Sequence, residues 1–475
     1  MERIPSGHPN LDRVLDGGLP AHNITMILGL PGTGKTILAQ QYAFANATAD
    51  RPSVYLSTVS EPFDKILRYG QSLSFFDASA IGRSVFYEDL GADLHVGGLD
   101  LVLKRVEGSI KDRRPGVLVI DSFKALRAYA DTDGQFRHFL HDLAGRVTAS
   151  PMTSFWIGEY DQSEIGHAPE FAVADAVISL TSPRVAQRET RALQVLKLRG
   201  SSFLPGEHAY RLTPEGIRVF PRLADPADPS AYPISSDRDS SGIAALDEML
   251  GEGYWAGAST LLAGPSGSGK TLMGLHFLFN GARMGQPGLL ATLQENPTQL
   301  ARIVGGFGWS LDDDRVHLMY RPPVDLYLDE WVSDLLETSQ RVGARRILID
   351  SLGDLQWASP DETRFREYAY SLLNRCSRTG VSVMMTYEIP QLFGVTQLSD
   401  VGGSHLSDNV VLLQFVREGS RIRRALAVMK TRASEHQPEI REFLISSDGI
   451  VLGDEIALDQ RVGEGVPHAS RPSRR

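Results

Sequence analysis

The sequence predicts an α/β fold of two tandem domains, each with a mostly parallel sheet flanked by helices. Three observations support this. The chain has 475 residues, well above the roughly 150 of a typical domain. A glycine-rich motif occurs twice, at 29–36 (GLPGTGKT) and 264–271 (GPSGSGKT). Short apolar stretches alternate with helical stretches in each half, as in parallel sheets covered on both faces.

Self-similarity along the chain extends beyond that motif, which returns after 235 residues. Two further segments return in the same order: 117–122 (VLVIDS) as 346–351 (RILIDS), and 195–199 (VLKLR) as 428–432 (VMKTR). Ordered matches at a nearly constant offset indicate a duplicated domain.

The predicted elements follow the repeat. In the first half we expect strands at 24–28, 53–57 and 117–120, and a helix at 37–47. In the second half we expect strands at 259–263, 288–292 and 347–349, and a helix at 272–282. Each strand is short and apolar, which is typical of a strand buried on both faces.

Proline content places the boundary between the halves. Residues 221–241 (PRLADPADPSAYPISSDRDSS) contain four prolines and no apolar periodicity, which indicates an extended linker. We therefore expect a first domain at 1–220, a linker at 221–240, a second domain at 241–455 and a flexible tail at 456–475.

Composition excludes several classes of protein. The net charge of −10 argues against a protein that binds the phosphates of nucleic acids. The single cysteine, Cys376, excludes an internal disulfide and a cysteine-rich metal site. The amino terminus lacks a basic-then-apolar signal region and no apolar run is long enough to span a membrane, so we expect a cytoplasmic location without membrane association.

The repeated glycine-rich motif has the spacing of a P-loop, in which backbone N–H groups surround the phosphates of a nucleotide. Lys35 and Lys270 are expected to reach the β- and γ-phosphates, and Thr36 and Thr271 to place a hydroxyl on Mg²⁺. ATP and Mg²⁺ are therefore the predicted cofactors. The predicted nucleotide-binding positions are Gly29, Pro31, Gly32, Thr33, Gly34, Lys35 and Thr36, and then Gly264, Ser266, Gly267, Ser268, Gly269, Lys270 and Thr271.

Two pairs of carboxylates accompany the P-loops. Asp121 and Asp350 each end an apolar strand and are predicted to act on Mg²⁺, although a strand-end aspartate can also cap the following turn. Glu61 and Glu295 follow the strand after the P-loop helix and are candidate general bases that polarise the attacking water. The alternative for both glutamates is a solvated side chain at a turn.

A pair of cations lies on a late strand of each half, Lys197 with Arg199 and Lys430 with Arg432. Residues two apart in a strand point to the same face. Such a pair could reach the γ-phosphate of a neighbouring subunit, as an arginine finger does, or form a solvated basic stripe.

The chain resembles the KaiC-like family of ATPases within the RecA superfamily, from about residue 4 to residue 453. The paired P-loops and the Ile-Asp-Ser strands carry the resemblance, together with three segments: 196–200 (LKLRG), 407–411 (SDNVV) and 440–445 (IREFLI). It implies RecA-like domains, ATP bound between subunits, a homohexamer of two stacked rings and regulatory protein partners. It also implies that Lys197, Arg199, Lys430 and Arg432 touch the nucleotide of the adjacent subunit.

Members of this family autophosphorylate at a Ser-Thr pair in the second domain. The matching positions here are Ser404 and His405, so Ser404 is the candidate phosphoacceptor; Phe171 and Ala172 in the first half cannot accept phosphate. The family also carries adjacent glutamates after the second strand, whereas this chain has Ser60-Glu61 and Gln294-Glu295. Because glutamine can orient water but cannot accept its proton, we expect slow turnover, above all in the second half.

Three functions compete at this point. The first is a slow hexameric ATPase with possible serine/threonine autokinase activity in the second domain. The second is a DNA-dependent ATPase related to RecA or RadA, which would need a basic channel loop. Its candidate segments, 160–174 and 389–407, contain no lysine or arginine, so no nucleic-acid partner is expected. The third is a nucleotide-gated scaffold with little catalysis.

Overall fold

The structure is a computed structural model that divides into two compact units, Met1–Arg222 and Leu223–Arg475. Each unit is described by itself. The residues described are 2–58, 63–161, 163–185, 188–223, 236–324, 326–359, 361–390, 405–418, 420–432, 434–447, 449–456, 458–459 and 468–469.

The first unit alternates strands and helices along the chain. Its strands are β1 (Arg3–Ile4), β2 (Leu19–Pro20), β3 (Ile24–Leu28), β4 (Ser53–Ser57), β5 (Val85–Asp89), β6 (Val117–Asp121), β7 (Thr153–Gly158), β8 (Ala176–Thr181), β9 (Arg184–Val185), β10 (Arg188–Glu189), β11 (Ala192–Leu198), β12 (Glu207–Thr213) and β13 (Gly216–Phe220). Its helices are α1 (Pro9–Val14), α2 (Lys35–Asn46), α3 (Phe63–Gly70), α4 (Gly91–Arg113), α5 (Asp133–Thr148) and α6 (Glu170–Val173), with 3₁₀ turns at Ala78–Ala80 and Phe123–Tyr129.

Nine of these strands form one sheet in the order β13-β12-β11-β8-β3-β7-β6-β4-β5. The strands from β8 to β5 pair in parallel, whereas β11, β12 and β13 pair antiparallel. Parallel strands all end at the same edge of a sheet, so β3, β4 and β6 bring the residues that follow them together.

Helices cover both faces of this sheet because its central strands are apolar on both sides. All five residues of β3 are buried. Alternation along the strand sends Ile27 to the face packed against α2 and Met26 to the face packed against α5. Helix α5 meets the sheet with a stripe of phenylalanine and leucine at helical spacing, which includes Phe136 and Leu140.

The second unit repeats this plan. Its strands are β14 (Arg238–Asp239), β15 (Tyr254–Trp255), β16 (Ser259–Gly264), β17 (Gly288–Thr292), β18 (Val316–Tyr320), β19 (Arg346–Asp350), β20 (Ser382–Glu388), β21 (Asn409–Glu418), β22 (Arg421–Lys430), β23 (Arg441–Ser446), β24 (Gly449–Glu455), β25 (Leu458–Asp459) and β26 (His468–Ala469). Its helices are α7 (Ala244–Met249), α8 (Lys270–Arg283), α9 (Pro297–Gly305), α10 (Leu328–Val342), α11 (Leu352–Ala358) and α12 (Glu362–Arg378).

The main path of the second sheet also has nine strands, in the order β18-β17-β19-β20-β16-β21-β22-β23-β24. Its strands from β18 to β21 pair in parallel, and β22 to β24 pair antiparallel. The short strands β25 and β26 attach to β21. The two units therefore share one strand order, and the predicted α/β fold of two mostly parallel sheets is confirmed.

One buried cation distinguishes the second unit. Arg346 opens β19 where the first unit has Val117, and its side chain is fully buried. The guanidinium donates to the carbonyl oxygens of Ser240 at 2.8 Å and Phe277 at 2.7 Å, and to Gln286 Oε1 at 2.8 Å. It also lies 3.5 Å from the carboxylate of Asp239. Arg346 thus ties the strand that enters the second unit to the centre of its sheet.

The described helices do not include one with both the length and the apolar character needed to cross a bilayer.

Candidate nucleotide site

In each unit a central strand leads through the glycine-rich loop into a helix, β3 into α2 and β16 into α8. Gly34 and Gly269, the residues before the P-loop lysines, are left-handed caps of these helices. A Cβ at Gly29 would lie 2.2 Å from the carbonyl oxygen of Leu180, so the loop requires glycine where it passes the neighbouring strand. The helices begin two residues before the predicted bounds, because the motif lysine and threonine form their first turn.

The P-loop lysines fold back over their own loops. Lys35 Nζ donates to the carbonyl oxygen of Leu30 at 2.9 Å, and Lys270 Nζ donates to those of Gly264 and Pro265, both at 2.9 Å. Burial lowers the pKa of each ammonium, and nearby carboxylates oppose that shift. These carboxylates are Asp121 and Glu159 beside Lys35, and Asp350 and Glu388 beside Lys270.

The predicted magnesium residues meet in both units. Thr36 Oγ1 donates to Asp121 Oδ2 at 2.9 Å, and Thr271 Oγ1 donates to Asp350 Oδ2, also at 2.9 Å. The threonine comes from the first turn of the P-loop helix and the aspartate from the end of β6 or β19. A hydroxyl and a carboxylate side by side are the oxygen donors that Mg²⁺ prefers beside a bound triphosphate, so these residues fit that ion.

Each of these aspartates has a second hydrogen-bond partner that the sequence does not reveal. Tyr55 OH, fully buried in the first unit, donates to Asp121 Oδ2 at 2.5 Å. Thr386 Oγ1 donates to Asp350 Oδ1. Asp350 is only 3% exposed; burial raises its pKa, while the hydrogen bonds from Thr386 and Thr271 oppose that shift.

A cleft of about 810 Å³ opens beside the first P-loop. Its lining combines polar groups, among them Lys35, Thr36 and Asp121, with the apolar side chains Ile66, Tyr69, Leu73 and Leu212. A lining of both kinds suits a nucleotide, which has a charged triphosphate and a flat base.

Of the two candidate general bases, only Glu295 lies within the described residues. Glu61 lies outside the described residues. Glu295 is half-buried, three residues after β17, and its N–H donates to Thr292 Oγ1 at 3.3 Å. Within the described residues, the Glu295 side chain makes no hydrogen bond to the P-loop or to Asp350. Its neighbour Gln294 instead donates from Nε2 to Asp354 Oδ2 at 2.8 Å.

The late-strand cations lie at one end of the strands of their sheet, and the P-loop of the same subunit lies at the other end. The N–H of Arg199 donates to the carbonyl oxygen of Asp175, whose N–H donates to that of Ile24, so all three lie in one row across the sheet. Gly29 comes five residues after Ile24, or about 16 Å further along at 3.3 Å per residue. These side chains therefore do not serve the nucleotide site of their own subunit.

Each cation pair contacts the chain segment that precedes the neighbouring strand. Lys197 Nζ donates to the carbonyl oxygen of Phe171 at 3.1 Å, and Arg199 pairs with Asp175 at 3.3 Å. In the second unit Lys430 Nζ donates to the carbonyl oxygen of Ser407 at 2.6 Å, and Arg432 pairs with Asp408 at 3.5 Å. Arg432 Nη2 also donates to the carbonyl oxygen of His405 at 3.3 Å. Ser404, the residue before His405, lies outside the described residues.

A second arginine in each unit lies next to the P-loop of its own subunit. Arg191 donates to the carbonyl oxygen of Gly32 at 2.8 Å, and Arg424 donates to that of Gly267 at 3.4 Å. Neither arginine belongs to a motif predicted from the sequence. A signal was available, because each arginine precedes the strand lysine of its half, Lys197 or Lys430, by six residues.

Comparison with known proteins gives one family and several relatives of similar length. The family described as "ATPase: KaiC" matches residues 4–224 and again 240–456. The circadian clock oscillator protein KaiC of Picosynechococcus sp. is 28% identical over 483 residues, which span 98% of this chain and 92% of that protein. KaiC of Synechococcus elongatus is 28% identical over 474 residues, spanning 96% and 90%. The circadian clock protein KaiC3 of Synechocystis sp. is 27% identical over 475 residues, spanning 95% and 92%.

Proposed function

The chain belongs to the KaiC family of ATPases, and from that premise we propose that it is a slow, ring-forming ATPase with a regulatory role. In this proposal each half binds one Mg²⁺·ATP, held by the P-loop of one subunit and by the late-strand cations of the next. The observation that carries the proposal is the contact between the P-loop threonine and the strand-end aspartate, which recurs at 2.9 Å in both units.

The residues have distinct roles in binding. Backbone N–H groups of 29–36 and 264–271 surround the phosphates, and Lys35 or Lys270 leaves the loop carbonyls to contact the β- and γ-phosphates. Thr36 with Asp121, and Thr271 with Asp350, would hold Mg²⁺. When bound, that ion supplies positive charge against the phosphate oxygens. Arg191 and Arg424 add a guanidinium beside the loop of their own subunit.

Hydrolysis requires a group that takes the proton of the attacking water. Glu61 is our candidate in the first half and Glu295 is the nearest glutamate by sequence in the second. We propose slow turnover because only one carboxylate follows the second strand of each half, beside Ser60 or Gln294.

The position of the cations supports the proposal of a ring of subunits. Lys197, Arg199, Lys430 and Arg432 lie at the sheet edge away from their own P-loops, so they can complete a nucleotide site only across a subunit boundary. A head-to-tail contact of this kind closes into a ring when its rotation closes. Six subunits is the number that the family resemblance implies.

We propose autophosphorylation of the second half at Ser404. Lys430 and Arg432 contact Ser407, His405 and Asp408, which follow Ser404 in the sequence, and these contacts support the proposal. The serine oxygen would form the new bond to the γ-phosphorus while the bond between that phosphorus and the β–γ bridging oxygen breaks. ADP would leave with the bonding pair, and the hydroxyl proton would pass to solvent. The relatives' names describe clock proteins; for this chain we propose regulation through protein partners.

The test is phosphate release from the purified chain with ATP and Mg²⁺, compared among Lys35→Ala, Lys270→Ala and the double variant. We expect each single variant to keep the activity of the other half and the double variant to lose both. Radiolabelled ATP followed by peptide mapping tests the kinase proposal, with Ser404→Ala as the control. Equal phosphate release by the parent and the double variant would refute the ATPase proposal, and unchanged labelling of Ser404→Ala would move the phosphoacceptor elsewhere.

A further inference from the structure

The second half contains a carboxylate next to the glutamine that replaces the family's first glutamate. Gln294 follows β17, and its side-chain amide cannot accept a proton from water. Its Nε2 donates to Asp354 Oδ2 at 2.8 Å. That contact leaves the carbonyl oxygen of the Gln294 amide as an acceptor for a water hydrogen. The pair Gln294 and Asp354 therefore combines an amide that can hold water with a carboxylate that can take its proton.

The position of Asp354 is fixed relative to the magnesium carboxylate. It lies in the first turn of α11, four residues after Asp350, and is half-buried. Its negative charge contributes to raising the pKa of Asp350. Asp350 in turn accepts a hydrogen bond from Thr271 of the P-loop helix. Asp354 is thus close enough to Asp350 for the two charges to interact.

Strand topology places both residues at the edge of the sheet that carries the P-loop. Strands β17 and β19 are parallel neighbours, and Gln294 and Asp354 each follow the carboxyl end of one of them. Strand β16 runs in the same direction and leads into the P-loop at that edge. In the first unit, Ala125 stands four residues after Asp121, as Asp354 does after Asp350, and lines the nucleotide cleft. The second half has a carboxylate at this position together with Gln294, whereas the first half has Ala125 and Ser60 at the two positions.

Helix capping explains only part of this arrangement. Ser351 is the N-cap of α11, and its Oγ accepts from the N–H of Asp354 at 3.3 Å and donates to Asp354 Oδ2. An aspartate in the first turn also suits the helix dipole. Neither effect requires Gln294, which reaches Asp354 from a different strand, across 60 residues of chain.

We propose that Asp354 is the proton acceptor for ATP hydrolysis in the second half, with Gln294 orienting the attacking water. The inference rests on the proposed ATPase function. The water oxygen forms a bond to the γ-phosphorus, and the bond between that phosphorus and the β–γ bridging oxygen breaks. ADP leaves with the bonding pair, one water proton passes to Asp354, and Asp354 then releases it to solvent.

The test uses the full chain carrying Lys35→Ala, so that phosphate release reports the second half. Asp354→Asn keeps the side-chain shape and an acceptor for Ser351 and Gln294 but cannot take the proton. We expect kcat to fall about 100-fold, the low end of general-base effects, with KM and the thermal midpoint unchanged. Asp314→Asn, at an exposed carboxylate with no assigned role, is the matched control and should change kcat less than threefold.

A rescue separates catalysis from capping. In Asp354→Ala the carboxylate is absent, and adding Gln294→Glu returns one to the same cleft from the neighbouring strand. We expect the double variant to recover at least tenfold in kcat over Asp354→Ala, whereas Gln294→Glu in a chain that keeps Asp354 should gain less than threefold, because a proton acceptor is already present. Equal gains in the two backgrounds would indicate that Asp354 only caps the helix.

Failure of the proposal for Asp354 and failure of the proposed ATPase function give different results. Asp354→Asn hydrolysing at the parent rate, or losing activity together with thermal stability, would overturn the role of Asp354 while leaving the ATPase intact. A double variant no faster than Asp354→Ala would overturn it as well. If Lys35→Ala released no more phosphate than Lys35→Ala with Lys270→Ala, the second half would not hydrolyse ATP, which overturns the role of Asp354 and the ATPase proposal for that half. Phosphate release by Lys270→Ala then shows whether the first half hydrolyses ATP.

Discussion

Replacing Thr36 by valine isolates the contact on which the nucleotide site depends. Valine keeps the shape of threonine and removes the hydroxyl that donates to Asp121 Oδ2 at 2.9 Å. A hydrogen bond to a charged group contributes about 1.5–3 kcal/mol, and the same hydroxyl is the expected magnesium ligand. At about 1.4 kcal/mol per tenfold, the dissociation constant of Mg²⁺·ATP should rise about 10- to 150-fold.

The assay is nucleotide titration by calorimetry in a Lys270→Ala background, once with Mg²⁺ and once with EDTA. We expect the loss of affinity only with Mg²⁺, because the threonine acts through the metal site. Thr33→Val is the matched control. Its hydroxyl is in the same loop but donates to the carbonyl oxygen of Leu30 at 2.9 Å, so it should weaken binding equally in both conditions.

Two results would refute this reasoning. Thr36→Val could bind Mg²⁺·ATP as tightly as the parent, or it could lose the same affinity with EDTA as with Mg²⁺. Either outcome would mean that Thr36 and Asp121 do not form a metal site.

Two further predictions concern the second unit. Arg346→Met leaves Asp239 and two buried carbonyl oxygens without their cation, so the free energy of unfolding should fall by about 3–5 kcal/mol. Arg345→Met, at an exposed neighbour, should change that free energy by no more than about 0.5 kcal/mol. Urea titration followed by tryptophan fluorescence measures both. A loss below 1 kcal/mol for Arg346→Met would contradict the role given to that cation. Burial raises the pKa of Asp350. As the pH is lowered, ATP hydrolysis by Lys35→Ala should therefore begin to decline at a pH above about 3.9, the ordinary pKa of an aspartate. Thr386→Val removes a hydrogen bond that opposes the shift, so it should move this decline to higher pH; a move to lower pH would count against the assignment.

The repeat made much of this structure predictable. The strands at 24–28, 53–57 and 288–292 have their predicted bounds, because a short apolar run between polar turns has few alternatives. The fold class followed from the same pattern and is confirmed. The roles of Glu61 and Ser404 stay predictions, since both lie outside the described residues.

The hydrogen-bond partners of Asp121 and Asp350 could not be predicted from the sequence. Tyr55 supports Asp121 in the first unit, whereas the second unit uses Thr386, which comes from a different strand. Such contacts depend on the register between neighbouring strands, which local patterns do not encode. Asp354 could not be predicted from the sequence either, because its contact with Gln294 is visible only in the structure.

The measurement that tests the central claim most directly is a mixing experiment between two inactive variants. Both carry Lys270→Ala, so that the first half alone can hydrolyse ATP. One also carries Lys35→Ala and keeps its late-strand cations, while the other carries Lys197→Ala with Arg199→Ala and keeps its P-loop. If cations act across the subunit boundary, equal mixing should restore about one quarter of the first-half rate, since one contact in four pairs an intact P-loop with intact cations. Phosphate release that stays at background at every mixing ratio would contradict the account.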